Sequence, residues 1–535
     1  MRARGRLSWT PARDGPARFP AYLGGLSCRA VALPGRSRGA APISAYLGRL
    51  LRFAVTPLDG EKGNASAAPI AAYLGGLLCF AVAPLCERLG IPFSGAPALL
   101  CLIGGLICFF LSCRTAGSRA GWRAPIRWVL AIELAGLLVV ALFSLEAIGR
   151  YPRDLGRPNR FWTDAIAMMD CAAQLTVQGH NPYRDLYQVD CFTHLHLDGR
   201  FGTPLLAGRF AGEPDHIPRY LVIQTFEVAR RHHVQHPAEF ESYPNYPAGA
   251  FLLPAPFLAP GWVTLDAFYL GCAVAAYLLL ALSAPRRRWP WLVLLALGNL
   301  NLWAYAVRGF DEAPVVLLML VAWMLRRRPI FSAVALGLAV ATRQDAWTFA
   351  LFYLVWAGRN EGRRAVIGRA ATVGPVFALV NAPFAISSPA DWFNGVFGPL
   401  KDPLLPAGIG LVGLRQSSGL PLWPHTTYTV LMLLALAAAL WYYGRICRQH
   451  PHVALVLAVV PLLFAWRSLF VYFFSSLPIL CLWPLLRDDA VNRRGQGVRP
   501  RVAAYGPSDG LQPARRQNRN GLKPASWRDM THSPD

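Results

Sequence analysis

Long apolar runs separated by arginine-rich turns constrain the fold of this chain more than any other feature. They recur from residue 69 to residue 486, and several end in arginine clusters such as the triplets at 286–288 and 326–328. A helix that crosses a bilayer needs about 20 predominantly apolar residues. The composition agrees, because 54% of the 535 residues are hydrophobic and only 15% are charged. We therefore predict an all-α polytopic membrane protein.

The arginine clusters also predict an orientation, since basic turns stay on the cytoplasmic side of a membrane. Placing each cluster inside gives about twelve transmembrane helices, with both termini cytoplasmic. A large extracytoplasmic first loop then covers 149–261, and a second outer loop covers 387–425. The expected spans are 69–86, 95–113, 127–148, 263–284, 290–307, 313–325, 330–342, 346–357, 365–386, 426–444, 452–466 and 469–486.

The ends of the chain differ from this pattern. Residues 1–68 repeat the tetrapeptide AYLG and carry arginines where a span would be apolar, so we expect an atypical, disordered leader before a membrane domain at 69–486. Residues 487–535 are basic and rich in Gly, Pro, Asn and Ser, which predicts a disordered cytoplasmic tail. The net charge of +24 is spread over these tails and the inner turns. Positive-inside topology explains it, and we expect no nucleic-acid partner.

The most informative polar stretch is 160–185, RFWTDAIAMMDCAAQLTVQGHNPYRD. Apolar residues recur there at helical spacing, which predicts an amphipathic helix. Thr163 is the expected N-cap and Gly179 the expected glycine just past the end, while Pro182 prevents continuation. Asp164 then lies in the first turn, where the helix dipole favours a carboxylate. An acidic first turn is also an ordinary capping feature.

The predicted topology collects polar residues on the outer face. Ionisable groups at the ends of short spans are costly unless they pair or serve a function. Their concentration in tight turns such as ATRQD and WRSLF favours a site at the boundary between water and lipid. The residues on this face are Asp164, Asp170, Tyr243, Tyr246, Asp311, Glu312, Arg343, Gln344, Asp345, Arg415 and Arg467.

An ordered set of motifs resembles a known family. TDA followed by an amphipathic helix and GHNPY resembles the first outer loop of GT-C membrane glycosyltransferases. YPNYPAGAFLLPAPF, GFDEAPVVLLML, RRRPIFSAVALGLAVATRQDAW and NAPFAISSPADWF with GLVGL extend the likeness over roughly 125–485. The sequence is most similar to bacterial enzymes that use polyprenyl-phosphate sugars, including polyprenyl-phosphate-mannose-dependent mannosyltransferases.

The resemblance implies a GT-C-like bundle that moves a sugar, mannose or a similar hexose or pentose, from a polyprenyl-phosphate donor. The acceptor would be an extracytoplasmic glycan or glycolipid of the cell envelope, reached from the plasma membrane. Asp164 occupies the position of the family's catalytic base. The chain has Asp-Ala there and not the Asp-Glu of protein O-mannosyltransferases, and it has Arg343 where many relatives have lysine.

General chemistry assigns roles to the other outer residues. A positioned carboxylate suits the base, and arginine binds phosphate oxygens with a bidentate fork. A departing phosphate needs no acid to protonate it, so one aspartate and an inverting displacement suffice. We therefore expect Asp164 to be catalytic. The residues expected to bind substrate are Asp170, Tyr243, Tyr246, Asp311, Arg343, Gln344, Asp345 and Arg467.

No cofactor is expected. A divalent metal is unsupported, because the histidines at 194, 196, 232, 233 and 236 lack a known zinc spacing. Gly-rich phosphate loops and a GxSxG elbow are absent from the sequence, which disfavours an NTPase or a serine hydrolase. Cys171 and Cys191 both lie in the first loop, where a disulfide would form in an oxidising compartment or two thiols would persist in a reducing one.

Two other classes stay open at this stage. A multi-pass transporter or lipid flippase would place charges within the membrane, often in broken helices. Glu133, Asp266 and Arg369 are the candidates for such a relay, although each lies near a predicted boundary. A non-catalytic membrane scaffold is the third class. Only an enzyme would release free lipid phosphate while transferring a sugar.

Overall fold

The computed structural model of the protein describes residues 64–486, except 92, 94, 117–125, 155–162, 213–216, 261–262, 307–308 and 310. The expected leader lies outside this range except for its last residues, and the expected tail lies outside it entirely. The described chain is mostly helical with almost no strand, as predicted. Its largest hydrophobic core runs through both the apolar helices and the first loop.

The first part of the described chain contains three long helices and the loop that follows them. The helices α1 and α2 pack on each other, and α1 also packs on α3. The elements are α1 Asn64–Arg88, α2 Gly95–Thr115, α3 Ile126–Asp154, α4 Asp164–Val177, α5 Pro182–Asp185, α6 Gln188–His194, α7 Arg219–Arg231, α8 Gly249–Leu252 and α9 Ala255–Leu258.

The middle of the chain alternates apolar helices with very short turns. Proline stands in the first turn of α13, α14 and α17, where its missing N–H costs nothing. Gly362, at a φ of +94°, separates α15 from α16. The elements are α10 Leu265–Ser283, α11 Trp289–Leu297, α12 Leu300–Ala306, α13 Ala313–Met324, α14 Pro329–Val340, α15 Asp345–Glu361, α16 Arg363–Ser387 and α17 Pro389–Lys401.

The last part combines one long helix with short pieces and a two-residue sheet. The elements are β1 Ala407–Gly408, α18 Leu411–Ser417, α19 His425–Ile446, α20 Ala454–Leu457, β2 Arg467–Ser468, α21 Val471–Phe474, α22 Leu477–Leu480 and α23 Leu482–Leu486. The strands β1 and β2 are parallel. They bring the loop at 387–425 against the turn between the last two apolar runs.

Six of the described helices are long and apolar enough to cross a membrane: Ala68–Arg88, Gly95–Thr115, Val129–Tyr151, Leu265–Ser283, Arg363–Ser387 and His425–Ile446. Large apolar side chains on them are exposed, among them Leu100, Ile132, Leu282 and Leu379. Such outward-facing apolar surface suits a helix bundle surrounded by lipid. The architecture is therefore that of a polytopic membrane protein.

The count of twelve spans is not confirmed, because several expected spans are short or broken. The run 290–307 forms α11 and α12 on either side of Gly298 and Asn299. The last two expected spans, 452–466 and 469–486, are chains of one-turn pieces with Pro461, Pro478 and Pro484 inside them. Proline removes a backbone hydrogen bond and clashes with the preceding turn, so continuous helices do not form there.

Candidate active site

Asp164 begins α4 in the position that the sequence predicts. The Thr163 hydroxyl accepts a hydrogen bond from the Ile166 N–H at 3.5 Å and caps the helix. Asp164 Oδ1 accepts from the Ala165 N–H at 2.8 Å, among the unpaired backbone donors of the first turn. Gly179 has a φ of +79° just past the helix end. The predicted start, end and acidic first turn of α4 are all confirmed.

A peptide from the middle of the first loop completes the hydrogen bonding of Asp164. The Thr203 N–H donates to Asp164 Oδ2 at 2.8 Å. Burial raises the pKa of Asp164, while hydrogen bonds from Thr203 and Ala165 and the positive charge of Arg467 oppose the rise. Because the net pKa lies above that of an ordinary aspartate, this carboxylate is a stronger proton acceptor.

Arg467 approaches Asp164 from the far end of the chain. It lies in β2, whose pairing with β1 sets Ala407 beside Arg467 and Gly408 beside Ser468. Gly408 adopts a φ of +128°, and a Cβ there would lie 2.1 Å from the Ser468 carbonyl oxygen. Glycine is thus required for the strands to come this close. Arg467 Nε is buried and has no hydrogen-bond partner among the residues described.

Glu241 is a further ionisable group in this cluster and is not among the residues predicted from the sequence. Its side chain is buried, and its Oε1 accepts from Asn245 Nδ2 at 3.2 Å. Burial and the negative charge of Asp164 raise the pKa of Glu241 to about 7, against the effect of Arg467. In the sequence Glu241 is one of two glutamates in a proline-rich polar stretch, so no local pattern distinguishes it.

Arg343 lies in a second cluster, where carboxylates surround it. Its Nη1 lies 2.5 Å from Asp311 Oδ2 and its Nη2 lies 3.3 Å from Glu312 Oε1. Its Nε lies 3.3 Å from Asp345 Oδ1. The guanidinium also stacks over the Tyr246 ring, with Cζ 4.6 Å from the centroid. All three guanidinium nitrogens of Arg343 thus face carboxylates of the protein.

Tyr246 and Gln344 join parts of the chain that are distant in sequence. The Tyr183 hydroxyl donates to the Tyr246 carbonyl oxygen at 2.6 Å. Gln344 Nε2 donates to the carbonyl oxygens of Asn245 at 2.7 Å and Val396 at 2.9 Å. These bonds tie the first loop to the start of α15 and to α17. The Gln344 amide nitrogen thus donates to two protein carbonyls, beside the Arg343 cluster.

Tyr243 and Asp170 lie apart from those bonds. The Tyr243 ring stacks on the His236 ring, with centroids 5.3 Å apart. Asp170 is buried on α4, where its Oδ2 accepts from Gln174 Nε2 at 3.2 Å. A small cavity opens between α4 and the Arg343 cluster, and its lining includes Met169, Tyr246, Tyr269, Asp311 and Arg343.

The turn before α13 carries Asp311 and Glu312 of the Arg343 cluster, and it packs on α4. Gly309, at a φ of +104°, packs so closely on α4 that a Cβ would lie 2.8 Å from Ile166 Cδ1. Tyr472 interacts electrostatically with both Arg343 and Arg467. The structure therefore brings Asp164, Arg467 and Glu241 together, with the Arg343 cluster close behind them.

A disulfide anchors α4 to α6. Cys171 and Cys191 are bonded, with their Cα atoms 6.0 Å apart. The sequence left this pairing open, and the structure provides it. Within the described ranges, no group of three or more His, Cys, Asp or Glu side chains is arranged to hold a metal ion.

The fold and this cluster define a class: a polytopic membrane protein with a polar site at the ends of its helices. Residues 244–478 match the sequence model of Glycosyltransferase family 87, a membrane family of the GT-C type. The match indicates a membrane glycosyltransferase. It includes Arg343 and Arg467 but begins after Asp164 and Glu241. No curated protein and no solved structure matches the chain.

Proposed function

We propose that this protein transfers a sugar from a polyprenyl-phosphate donor to an extracytoplasmic glycan or glycolipid, with Asp164 as general base. The observation that carries the proposal is a carboxylate held by two backbone N–H groups, with the Arg467 guanidinium, unpaired among the described residues, near enough to act on its charge. A lipid-linked donor suits a site at the ends of membrane helices, because its tail can stay in the bilayer.

The reaction would use the two groups in separate roles. Asp164 takes the proton from an acceptor hydroxyl as that oxygen attacks the anomeric carbon of the sugar. The bond between the anomeric carbon and the phosphate oxygen breaks, and the lipid phosphate leaves as an anion with inversion at the carbon. Arg467 stabilises the charge that develops on the phosphate. No acid is needed for the leaving group.

Arg343 has a different part in this proposal. Its nitrogens already contact three carboxylates, so phosphate binding is assigned to Arg467. The Arg343 cluster would hold the turns before α13 and α15 in place behind the site. Tyr246 and Gln344 would support the same two turns, and Asp170 and Tyr243 would lie at the margins of the site.

The experiment that tests the proposal supplies membranes with labelled polyprenyl-phosphate mannose, with glucose and arabinose donors tested in parallel. Nucleotide-linked forms of the same sugars form a second arm. Sugar transfer with release of free polyprenyl phosphate is expected only from the lipid-linked donors and only with Asp164 present. Transfer from the nucleotide sugars alone would contradict the assignment of a polyprenyl-phosphate donor.

The alternative of a transporter or flippase gives a separate result in that assay. It would move the labelled lipid between leaflets without breaking its sugar–phosphate bond. One of the residues considered for a relay, Arg369, is paired with Glu361 at 2.6 Å and donates to the Arg326 carbonyl oxygen at 2.8 Å. The ion pair with Glu361 accounts for Arg369 without a transport role.

A further inference from the structure

Glu241 is the buried carboxyl of the first loop that the reaction above does not use. It is 8% exposed, and Asn245 Nδ2 donates to its Oε1 at 3.2 Å. Its backbone N–H donates to the Thr203 carbonyl oxygen at 3.1 Å. Burial of an acidic side chain that has no ion-pair partner within the described residues is costly, so its presence requires an explanation.

The geometry connects Glu241 to the proposed base through a single residue. Thr203 donates its N–H to Asp164 Oδ2 and accepts from the Glu241 N–H with its carbonyl oxygen. The surrounding backbone fixes this arrangement, because Pro204 pairs with Phe240 and Leu205 with Leu404 in isolated bridges. The backbone of Glu241 is therefore held one residue away from the partner of Asp164, by bonds that do not depend on the charge of Glu241.

Four groups act electrostatically on the Glu241 carboxyl. Asp164 and Asp402 disfavour its negative charge, whereas Arg467 and the Asn245 amide favour it. Burial is the largest influence, and together these raise the pKa of Glu241 to about 7. If Asp164 and Glu241 are both ionised, the two carboxylates compete for the one guanidinium of Arg467.

We propose that Glu241 is a positioning residue for the donor: its protonated form leaves Arg467 to the donor phosphate, and its ionised form competes with that phosphate for Arg467. The inference rests on the proposed function and adds a regulation of the same site. Arg467 makes no ion pair with any residue that the structure describes, so it is free to take either anion. Glu241 itself does not contact the reacting atoms.

The sign of the pH effect follows directly. Below a pH of about 7 Glu241 carries its proton, and Arg467 faces one carboxylate, Asp164. Above that pH a second negative charge faces Arg467 and repels an incoming phosphate. Because apparent affinity scales with the fraction of the binding-competent form, binding should weaken about tenfold from pH 6 to pH 8.

The test measures binding of geranylgeranyl phosphate, a short polyprenyl phosphate, to the purified full-length protein. Measurements run from about pH 5.5 to about pH 9, on both sides of the expected ionisation of Glu241. The matched variant is Glu241→Gln, which keeps the shape but cannot ionise. Ionisation of the probe is common to both proteins, so the ratio of their dissociation constants isolates Glu241. A ratio that grows about tenfold across the transition is expected. A constant ratio would overturn the inference.

A second variant keeps the test decisive if Glu241→Gln does not fold. Asn245→Ala leaves Glu241 in place and removes a hydrogen bond that favours its ionised form, while the Asn245 carbonyl still accepts from Gln344. The binding transition should then move to higher pH, and an unmoved transition would refute the role. The binding assay also distinguishes failure of this inference from failure of the proposed function. Binding that depends on pH without any sugar transfer would refute the transferase function and leave the role of Glu241 standing.

Discussion

Thr203 donates its backbone N–H to Asp164 Oδ2 at 2.8 Å, across 39 positions of the chain. This bond joins the start of a helix to a loop segment that itself pairs with 239–241 and with Leu404. A carboxylate fixed at both oxygens keeps one orientation, which a general base needs. Each oxygen keeps acceptor capacity for a further donor, which in the proposed reaction is the acceptor hydroxyl.

Asp164→Asn should abolish most transfer while the protein still folds. The amide keeps the shape of the side chain but cannot accept the acceptor's proton, so kcat should fall about 10²- to 10⁴-fold. Asp170→Asn is the matched control on the same helix and should lower kcat much less. The measurement is the rate of sugar transfer by purified protein; near-normal turnover by Asp164→Asn would exclude it as the base.

Arg467→Ala and Arg343→Ala should fail in different ways. Loss of a charge-assisted contact to phosphate costs about 1.5–3 kcal/mol, so Arg467→Ala should lower kcat/KM for the donor about 10- to 100-fold. Its thermal stability should change little. Arg343→Ala removes the cation from three carboxylates, of which Glu312 is buried, and should destabilise the fold by about 3–5 kcal/mol.

Steady-state kinetics against donor concentration and thermal unfolding separate these two variants. Arg209→Ala, at an exposed position of the first loop, is the control and should change neither quantity. Arg343→Lys should be more stable than Arg343→Ala, since lysine keeps the positive charge but lacks the bidentate guanidinium group. A stable Arg343→Ala protein with weak donor binding would reverse the assigned roles.

Gly408→Ala should weaken donor binding without touching a charged group. The residue has a φ of +128°, and its Cβ would collide with the Ser468 carbonyl oxygen. The strands must separate, and Arg467 must move with β2, so kcat/KM should fall in the manner of Arg467→Ala. Gly212→Ala, where a Cβ meets nothing within 4 Å, is the control. Equal kinetics in the two variants would mean that the β1–β2 contact does not position Arg467.

Removal of the disulfide should destabilise the first loop. Cys171 and Cys191 enclose a separation of 20 residues, and cross-linking a loop of this size contributes about 3 kcal/mol. The double variant Cys171→Ser with Cys191→Ser should unfold at lower temperature and lose transfer activity as α4 loosens. Cys101→Ser, at a free cysteine, should leave both unchanged. An unaltered unfolding curve in the double variant would contradict a structural role.

The orientation in the membrane is tested by labelling single introduced cysteines with an impermeant reagent. Gln178→Cys and Ala390→Cys, both at exposed positions, should react from outside in intact cells. Arg327→Cys and Arg363→Cys, also exposed, should react only after the membrane is opened. Reaction at position 327 from outside would invert the topology and place the proposed site in the cytoplasm.

The sequence predicts the main elements of the candidate site but not which of them contact one another. The helix that begins at Asp164, its Thr163 cap and the glycine at 179 follow from local rules of capping and periodicity, and the structure has all three. The turns that carry Arg343 and Arg467 were also recognisable as charges between apolar runs. The match over 244–478 supports the class of enzyme that these motifs suggested.

The broken helices at the end of the described chain could not be predicted from hydropathy. The runs 452–466 and 469–486 are apolar enough for membrane helices, yet they fold as one-turn pieces. Hydropathy records the preference for lipid but not whether backbone hydrogen bonds continue through Pro461 or Pro478. Neighbouring helices supply the surroundings that make such interrupted backbone tolerable.

The sequence by itself determined the helical membrane fold and the acidic helix start, because periodicity and hydropathy are local properties. Only the tertiary structure decided which charges meet. Arg343 is enclosed by Asp311, Glu312 and Asp345, whereas Arg467 remains uncommitted beside Asp164 and Glu241. The energy of a charge depends on its neighbours and its burial, and both are set by contacts between residues far apart in the chain.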